Sequence, residues 1–332
     1  MSMNDRQAAA GQERSEPGME SAQDTIARIF GDSQHSLGAE MAETSSRYER
    51  LRSIPVPKPS ATRYIAVANQ KGGVGKTSTT VNLAAALAQG GAHVLVIDMD
   101  PQGNASTALG APHDSGQSSV YDVLEGRSTI EDTKVPCPDF ETLQIVPSSI
   151  NLSGAELEVA DLANRTELLH NAVEAFMRDT NEQFDYVLVD CPPSLGLLVI
   201  NAMCAVTEVL VPIQAEYYAL EGLGQLINTI ELVQEHYNPI LLVSTMVVTM
   251  FDRRTLLSRE VYDEVKKHYP NIVLDTTIPR TVKISEAPSF GKSVIAYDPR
   301  GIGAVAYVEA ALEIARRSPS VLAAIAQKRR KH

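Results

Sequence analysis

The amino-acid sequence predicts an α/β fold, a mostly parallel, twisted sheet with helices on both of its faces. Short apolar runs recur from residue 64 onward, and helix-length segments separate several of them, as in sheets that are buried on both faces. Hydrophobic residues make up 44% of the 332 residues, enough for a sizeable aliphatic core. The predicted strands are Tyr64–Ala68, His93–Ile97, Thr142–Val146, Tyr186–Val189, Glu208–Ile213 and Leu241–Val248, and the predicted helices are Thr77–Gln89, Glu167–Met177, Gly196–Val206 and Leu220–His236.

The residues before the first strand differ in composition from the rest of the chain. Residues 1–60 are rich in Ser, Glu, Gln, Ala and Gly and end in the proline-containing stretch Ile54–Ser60, so we expect a disordered extension and linker. The short amphipathic segment Thr25–Phe30 leaves open an alternative, an arm that docks a partner or clasps a dimer. We assign residues 61–318 to the α/β domain and residues 319–332 to a basic C-terminal tail or helix.

Charge and cysteine usage narrow the classes of function. The net charge is −12, so contact with nucleic acid would need a local basic patch. The cysteines Cys137, Cys191 and Cys204 are an odd number and lack metal or redox spacing, which suits a reducing cytosol. No apolar run approaches the ~18 residues of a membrane span, and the polar N-terminus is unlike a secretory signal. We therefore expect a cytoplasmic protein that does not cross a membrane.

A glycine-rich loop joins the first predicted strand to the first predicted helix. Lys71–Thr77 reads Lys-Gly-Gly-Val-Gly-Lys-Thr, the strand-to-helix context of a phosphate-binding loop. Glycines allow the backbone to approach phosphates, and the loop N–H groups together with the helix N-terminus bind the anion. Lys76 would bridge the β- and γ-phosphates of ATP, and the Thr77 hydroxyl would coordinate Mg²⁺. The predicted nucleotide-binding residues are Lys71, Gly72, Gly73, Val74, Gly75, Lys76, Thr77 and Ser78.

The spacing of this loop departs from the ordinary phosphate-binding pattern G-x-x-x-x-G-K-[ST]. Gln70 stands where that pattern has glycine, and a second lysine, Lys71, follows it. The alternative interpretation is a glycine-rich turn that only connects strand and helix. Seven matching residues in the strand-to-helix context favour the phosphate loop.

Carboxylates follow two of the apolar strands. Asp98 and Asp100 come after the run that ends at Ile97, and Asp190 follows Tyr186–Val189. The carboxyl ends of parallel strands share one edge of a sheet, so these groups can converge on the loop and complete a Mg²⁺–phosphate site. A single strand-end aspartate is often only a turn former or a helix cap. Cys191 is a conceivable metal ligand, but a lone thiol more often serves packing.

Three motifs together resemble the ParA/Soj chromosome- and plasmid-partitioning ATPases. They are Lys71–Thr77, Asp98-Met-Asp-Pro-Gln-Gly-Asn104 and Asp190-Cys-Pro-Pro-Ser194, and the similarity extends over roughly residues 62–317. This family belongs to the deviant Walker A group of P-loop NTPases. The resemblance implies an ATPase with weak intrinsic activity that forms an ATP-dependent homodimer.

The resemblance also assigns roles to single residues. Lys71 would be the signature lysine that reaches the partner's nucleotide across the dimer, where it stabilises charge on the transferred phosphoryl group. Asp100 would orient or activate the attacking water, so the predicted catalytic residues are Lys71, Lys76 and Asp100. Asp98 and Asp190 would support Mg²⁺ together with Thr77. Pro101–Asn104 and Cys191–Gly196 would be switch segments that sense the γ-phosphate, and Ser78 stands where relatives usually have Thr.

ParA-type dimers bind double-stranded DNA without sequence preference, which requires Lys and Arg near phosphates. By resemblance, the candidate residues are Arg254, Arg280 and Lys283. Charge alone adds Arg253 and the tail Lys328–Lys331. For each basic residue taken separately, a solvated surface charge is the better interpretation. The family further implies a ParB-type centromere-binding protein that stimulates hydrolysis, and a cytoplasmic, nucleoid-associated location.

Competing functions make different demands on the sequence. A MinD-like membrane-cycling ATPase would need a C-terminal amphipathic membrane helix, but residues 318–332 carry only small apolar residues and no aromatics. An electron-transfer ATPase like the nitrogenase iron protein would need paired cysteines around a shared cluster. A metabolic kinase or synthetase would need a second substrate motif, and none is visible. The partitioning switch is therefore the predicted function.

Overall fold

The computed structural model describes residues 43–114, 116–158, 164–216 and 219–317. Within these ranges the chain forms a seven-stranded sheet in the order β3-β4-β2-β5-β1-β6-β7. Every neighbouring pair is parallel except β3 and β4. The strands are β1 (Arg63–Val67), β2 (Val94–Asp98), β3 (Val135–Pro136), β4 (Leu143–Val146), β5 (Tyr186–Asp190), β6 (Glu208–Gln214) and β7 (Leu242–Thr249).

Helices connect the parallel strands. Residues 43–52 form α1. The others are α2 (Lys76–Gln89), α3 (Asn104–Ala108), α4 (Val120–Leu124), α5 (Ile130–Thr133), α6 (Leu152–Glu158), α7 (Leu168–Asp179), α8 (Leu197–Ala205), α9 (Ala219–His236), α10 (Leu256–His268), α11 (Val282–Glu286), a 3₁₀ helix (Ala287–Phe290), α12 (Val294–Tyr297) and α13 (Ile302–Ala315). Among the described residues, no helix is long and apolar enough to cross a bilayer.

Alternation along the central strands divides the core into two layers. On β2, Leu95 and Ile97 pack on the face covered by α7, α8 and α9, whereas Val94 and Val96 pack on the face covered by α2 and α13. Successive side chains of a strand point to opposite faces, so a strand covered on both sides must be apolar throughout. The predicted fold class is confirmed, and the six predicted strands are present.

The stretch before β1 differs from the expected disordered linker. Residues 43–52 are helical, and Tyr48 and Val56 are buried. The Arg47 guanidinium pairs with Glu309 on α13, and the Val56 amide donates to the Gly90 carbonyl at the end of α2, 3.3 Å away. Packing on α2 and α13 therefore orders residues that look like linker by composition.

The outer parts of the chain lie beyond what the structure covers. Residues 1–42, which include the segment Thr25–Phe30, and residues 318–332, which include Lys328–Lys331, lie outside the described residues. The domain boundaries at residues 60/61 and 318/319 stay predictions.

Strand order places three chain segments at one edge of the sheet. β5 lies between β2 and β1, and in this register Asp190 is opposite Asp98 on one side and Val67 on the other. The loop after β1 and the carboxyl ends of β2 and β5 therefore meet. A crevice at the carboxyl edge of such a sheet is where α/β proteins bind their ligands.

Candidate functional site

The loop between β1 and α2 has the backbone of an anion-binding turn. Gly73 and Gly75 have φ of +76° and +86°, the left-handed region that disfavours residues with a Cβ atom. Gly75 immediately precedes α2 as its N-cap residue. A Cβ atom built on Gly72 or Gly73 would meet no other atom within 4 Å, so the loop faces open space. The predicted loop residues therefore present backbone to a ligand at a helix N-terminus.

Two side chains outside the glycine-rich stretch, one of them from β7, hold this loop in place. The Asn69 Oδ1 accepts a hydrogen bond from the Lys71 amide at 3.0 Å, and its Nδ2 donates to the Pro212 carbonyl at 2.7 Å. The Thr249 hydroxyl, on β7, donates to the Val74 carbonyl at 2.8 Å. Sequence reasoning missed both supports. The polar Asn69 directly after an apolar strand was a usable signal, but nothing local marks Thr249.

The two lysines of the loop occupy different environments. Lys76 is buried, and its Nζ donates to the Lys71 carbonyl at 3.3 Å. Burial lowers the pKa of Lys76, although the nearby Asp190 and Asp100 carboxylates act in the opposite direction. The Lys71 side chain is 37% exposed and donates to Glu216 Oε2 at 2.8 Å. Lys76 thus points into the loop, and Lys71 lies at its accessible rim.

Asp190 anchors the first turn of α2. Its Oδ2 accepts a hydrogen bond from the Thr77 hydroxyl at 2.8 Å, and its Oδ1 accepts one from the Thr80 hydroxyl at 2.7 Å. Asp190 is fully buried, and this burial, together with the neighbouring Asp98, raises the pKa of Asp190. The structure therefore brings Thr77 and Asp190 together, as predicted. Thr80, one helical turn after Thr77, was missed.

Asp98 binds the segment that follows its own strand. Its Oδ2 accepts hydrogen bonds from the Ser106 amide at 2.8 Å and the Ser106 hydroxyl at 2.7 Å, and its Oδ1 accepts one from the Asp100 amide at 3.2 Å. Burial of Asp98 raises its pKa. Both oxygens thus contribute to fixing residues 100–106. Its predicted contact with Mg²⁺ stays a prediction, and Ser106 is a further residue that the sequence did not reveal.

Asp100 begins a tight turn at the same edge. It is 7% exposed, and its Oδ1 accepts a hydrogen bond from the Gln102 amide at 3.0 Å. The turn closes through the Gly103 amide, which donates to the Asp100 carbonyl at 2.9 Å, and Gly103 has φ of +63°. The predicted switch segment Pro101–Asn104 therefore lies between Asp100 and α3. The role of Asp100 toward water stays a prediction.

The cysteines are buried and unpaired with one another. Cys137, Cys191 and Cys204 are all free thiols, and Cys191 is fully buried directly after Asp190. Burial raises the pKa of the Cys191 thiol. Over the ranges that the structure covers, no group of three or more His, Cys, Asp or Glu is placed to hold a metal ion. The environment of Cys191 agrees with a packing role.

The predicted DNA-binding arginines lie close together at the carboxyl end of β7. Phe251 and Pro279 form a parallel bridge, and the Arg280 amide donates to the Phe251 carbonyl at 3.3 Å. This bridge brings the Arg253–Arg254 loop next to Arg280. Arg253 and Arg280 are exposed. The Arg254 guanidinium forms two 3.0 Å hydrogen bonds to Asp252, whose pKa it lowers.

Lys283 lies on α11, which begins shortly after Arg280 in the chain. Its Nζ donates to Glu286 at 2.9 Å and lies 5.1 Å from the centroid of the Tyr297 ring. We call Arg253, Arg254, Arg280 and Lys283 the basic surface. The structure thus places these predicted residues on two neighbouring segments, with Arg254 and Lys283 each partly neutralised by an acidic neighbour.

Known proteins share this combination of fold and loop. A family model described as an AAA domain matches residues 62–243. Sporulation initiation inhibitor protein Soj of Bacillus subtilis (strain 168) is 47% identical over 253 residues, which cover 76% of this chain and 98% of Soj. This chain belongs to the ParA/Soj family. The chromosome partitioning protein ParA of Caulobacter vibrioides (strain NA1000 / CB15N) is also 47% identical, over 77% of this chain and 94% of that protein.

Solved structures agree with the ParA/Soj assignment of the fold. Cobyrinic acid a,c-diamide synthase from Mycobacterium smegmatis, with bound ATP analogue and magnesium, superposes with a TM-score of 0.67 at 38% identity. The match covers 77% of this chain and 96% of that protein. This superposition confirms the predicted fold, and the similarity to Soj and ParA confirms the predicted family. The roles of single residues in this ParA/Soj chain stay predictions.

Proposed function

We propose that this chain is an ATP-dependent switch that partitions chromosomal or plasmid DNA. The observation that carries the proposal is the loop with two lysines, in which Lys76 is buried at the start of α2 and Lys71 is accessible at the rim. One nucleotide site needs a single loop lysine, whereas two sites that face each other in a dimer can use both. The partitioning proteins Soj and ParA, at 47% identity, support this function.

The loop suits the triphosphate of ATP. Gly72 and Gly73 leave open space above the backbone, and α2 directs its N-terminus toward that space. Lys76 supplies a cation that is already desolvated and therefore interacts strongly with an anion. A nucleotide phosphate would offset the cost of burying this ammonium group.

The same edge of the sheet suits Mg²⁺. The Thr77 hydroxyl donates a hydrogen bond to Asp190, which leaves lone pairs of the hydroxyl oxygen for a cation. Asp98 and Asp190 are buried side by side and repel each other, so a divalent cation nearby would stabilise their charged forms. When bound, Mg²⁺ neutralises charge on the phosphate oxygens. We propose Thr77 as the direct ligand and Asp190 as the group that orients it.

Hydrolysis would use Asp100 and Lys71. The turn at Gly103 and the hydrogen bond from Gln102 hold Asp100 at the carboxyl edge, where it would orient a water molecule. Lys71, released from Glu216, would reach the nucleotide of a second copy of the chain. ATP would in this way favour the homodimer, and hydrolysis would separate it.

The basic surface would bind DNA phosphates in the dimer. The chain has a net charge of −12, so a local cluster that two copies duplicate is the proposed source of affinity. A ParB-type centromere-binding protein would stimulate hydrolysis and thereby release the DNA. The proposed location is the cytoplasm, on nucleoid DNA.

Sedimentation of the full chain with duplex DNA tests the proposal. We expect co-sedimentation with a non-hydrolysable ATP analogue and Mg²⁺, little with ADP, and none for Lys76→Ala with either nucleotide. A parallel sample with anionic lipid vesicles tests the MinD-like alternative. Binding to vesicles but not to DNA would overturn the partitioning proposal, as would DNA binding that is equal with both nucleotides.

A further inference from the structure

Two glycines outside the nucleotide loop lie so close together that a side chain on either would meet the backbone of the other. Gly110 follows α3 and Gly291 follows the 3₁₀ helix, with φ of +67° and +64°. A Cβ atom on Gly110 would lie 3.2 Å from the Gly291 carbonyl oxygen. A Cβ atom on Gly291 would lie 3.6 Å from Gly110 Cα and from the Thr107 carbonyl oxygen. We call Gly110 and Gly291 the glycine seam.

The Gly110 side of the seam belongs to the predicted switch. α3 begins directly after the Asp100–Gly103 turn, and Ser106 on this helix donates two hydrogen bonds to Asp98. The Gly110 amide donates to the Thr107 carbonyl at 3.1 Å, so the end of α3 includes the seam. A displacement of the switch segment would therefore move Gly110.

The Gly291 side belongs to the segment that carries Lys283 of the basic surface. The 3₁₀ helix is continuous with α11, on which Lys283 lies. Its end is closed by hydrogen bonds from the Gly291 amide to the Pro288 carbonyl at 3.0 Å and from the Lys292 amide to the Ala287 carbonyl at 3.3 Å. A displacement of Gly291 would therefore move α11.

A second contact ties this segment to the nucleotide loop. The Val294 amide donates to Asn82 Oδ1 at 2.7 Å, and Asn82 lies on α2, which begins at Lys76. The segment from α11 to α12 thus rests on α2 and α3, the two helices that follow the phosphate loop and the switch. These contacts connect the segment that carries Lys283 with the two helices that follow the phosphate loop and the switch.

We infer that the glycine seam transmits the state of the nucleotide site to the basic surface, with Gly110 and Gly291 as positioning residues. The inference rests on the proposed function, because it assumes that the basic surface binds DNA. The close approach matters here because a side chain between two segments can absorb a small shift by changing rotamer, and neither glycine has a side chain that could do so. We therefore expect a movement of α3 toward the glycine seam to displace the 3₁₀ helix.

Gly110→Asn tests the seam with little backbone strain. Asn tolerates the left-handed region better than most residues with a side chain. Its Cβ atom would lie 3.2 Å from the Gly291 carbonyl oxygen and 3.4 Å from the Pro138 ring. Gly126→Asn is the matched control, because Gly126 has φ of +70° and a Cβ atom there meets nothing within 4 Å. Both variants place Asn at a residue with positive φ, so they share the cost of that backbone conformation. Only in Gly110→Asn does the added Cβ atom have neighbours within 4 Å.

The measurements are the affinities of the full-length variants for ATP and for duplex DNA, the latter with a non-hydrolysable ATP analogue and with ADP. In Gly110→Asn we expect the DNA affinity with the ATP analogue, divided by the DNA affinity with ADP, to fall by about tenfold. The affinity for ATP should not change. Gly126→Asn should behave as wild type. A wild-type ratio in Gly110→Asn, or an equal loss in Gly126→Asn, would overturn the inference.

Hydrogen exchange of the wild-type chain keeps the inference testable if Gly110→Asn does not fold. We expect amide protection at residues 282–292 to differ between the ATP analogue and ADP. DNA binding that depends on ATP without any such difference would contradict the seam and leave the proposed function intact. Conversely, a difference at residues 282–292 in a chain that does not bind DNA would support the seam and contradict the proposed function.

Discussion

Asp98 and Asp190 lie opposite each other on β2 and β5, yet their carboxylates hold different parts of the site. Asp190 accepts hydrogen bonds from Thr77 and Thr80 on α2, whereas Asp98 accepts them from Ser106 and Asp100 after β2. One buried pair thereby positions the phosphate loop and the switch segment relative to each other. Both side chains are fully buried, and a hydrogen bond is electrostatically stronger in such an environment than in water.

The buried Lys76 should be indispensable for nucleotide binding. Lys76→Ala removes the cation at the base of the loop, and we expect ATP to bind about 100-fold more weakly. Isothermal titration calorimetry with Mg²⁺ and ATP measures this. Lys267→Ala is the control, because Lys267 is exposed at the end of α10, and this variant should bind ATP as the wild type does. Tight ATP binding by Lys76→Ala would refute the assignment of the loop.

Asp100 should act in hydrolysis and not in binding. Asp100→Ala should bind ATP and dimerise, while phosphate release slows by about 100-fold, since a positioned acid or base contributes about that much. Single-turnover phosphate release checks the rate. Asp263→Ala, at an exposed position on α10, is the control and should keep wild-type turnover. Wild-type turnover in Asp100→Ala would remove Asp100 from catalysis.

Ser106 should stabilise the switch segment. Its hydroxyl donates to Asp98 and accepts a hydrogen bond from the Ser148 amide at 3.0 Å, and Ser106 is fully buried. Ser106→Ala leaves these groups with fewer partners, so the free energy of unfolding should fall by about 1–3 kcal/mol. Urea denaturation of the nucleotide-free protein measures the change. An unchanged midpoint and slope would show that the Asp98–Ser106 contact contributes nothing to stability.

The arginines of the basic surface should set the salt dependence of DNA binding. Arg280→Ala and Arg254→Ala should each weaken duplex binding with the ATP analogue and lower the log–log salt slope by about 1. ATP affinity should not change. Arg178→Ala is the control, because Arg178 is exposed at the end of α7. Unchanged, equally salt-dependent DNA affinity in the two variants would exclude these arginines from the interface.

The buried pair Arg63–Glu208 should matter for stability. Two hydrogen bonds of 2.8 and 2.6 Å join the side chains across β1 and β6, and the guanidinium also donates to the Ile314 carbonyl. Glu208→Gln leaves a buried cation without its counter-charge, so we expect a loss of about 3–5 kcal/mol in the free energy of unfolding. Asp275→Asn, in an exposed pair with Lys266, should cost less than about 1 kcal/mol. If the free energy of unfolding fell equally in both variants, burial would not be what makes the Arg63–Glu208 pair important for stability.

Local patterns in the chain were enough to predict the sheet and the loop. Strands that are buried on both faces are apolar at every position, so runs such as Val94–Ile97 are visible without knowledge of their neighbours. The loop was visible because glycines, lysines and a hydroxyl must follow one another in the chain to surround a phosphate. The parallel order of strands then implied that Asp98 and Asp190 would be neighbours.

The supports of the site could not be predicted because their partners are far apart in the chain. Asn69 and Pro212 are separated by 143 positions, Val74 and Thr249 by 175, and Lys71 and Glu216 by 145. Such contacts depend on which loops the strand order brings together. The ordered helix α1 is a similar case, since burial of Tyr48 and Val56 against the domain outweighs a linker-like composition.

The sequence by itself determined the family, the α/β architecture and the candidate nucleotide-binding residues, because each depends on neighbouring residues and on strand periodicity. The tertiary structure alone decided which distant groups contact the site and its surroundings: Glu216 on Lys71, Thr249 on Val74, and Gly291 against Gly110. A hydrogen bond or a backbone contact requires atoms within about 3–4 Å. Only the packing of the complete domain brings residues so distant in sequence to that separation.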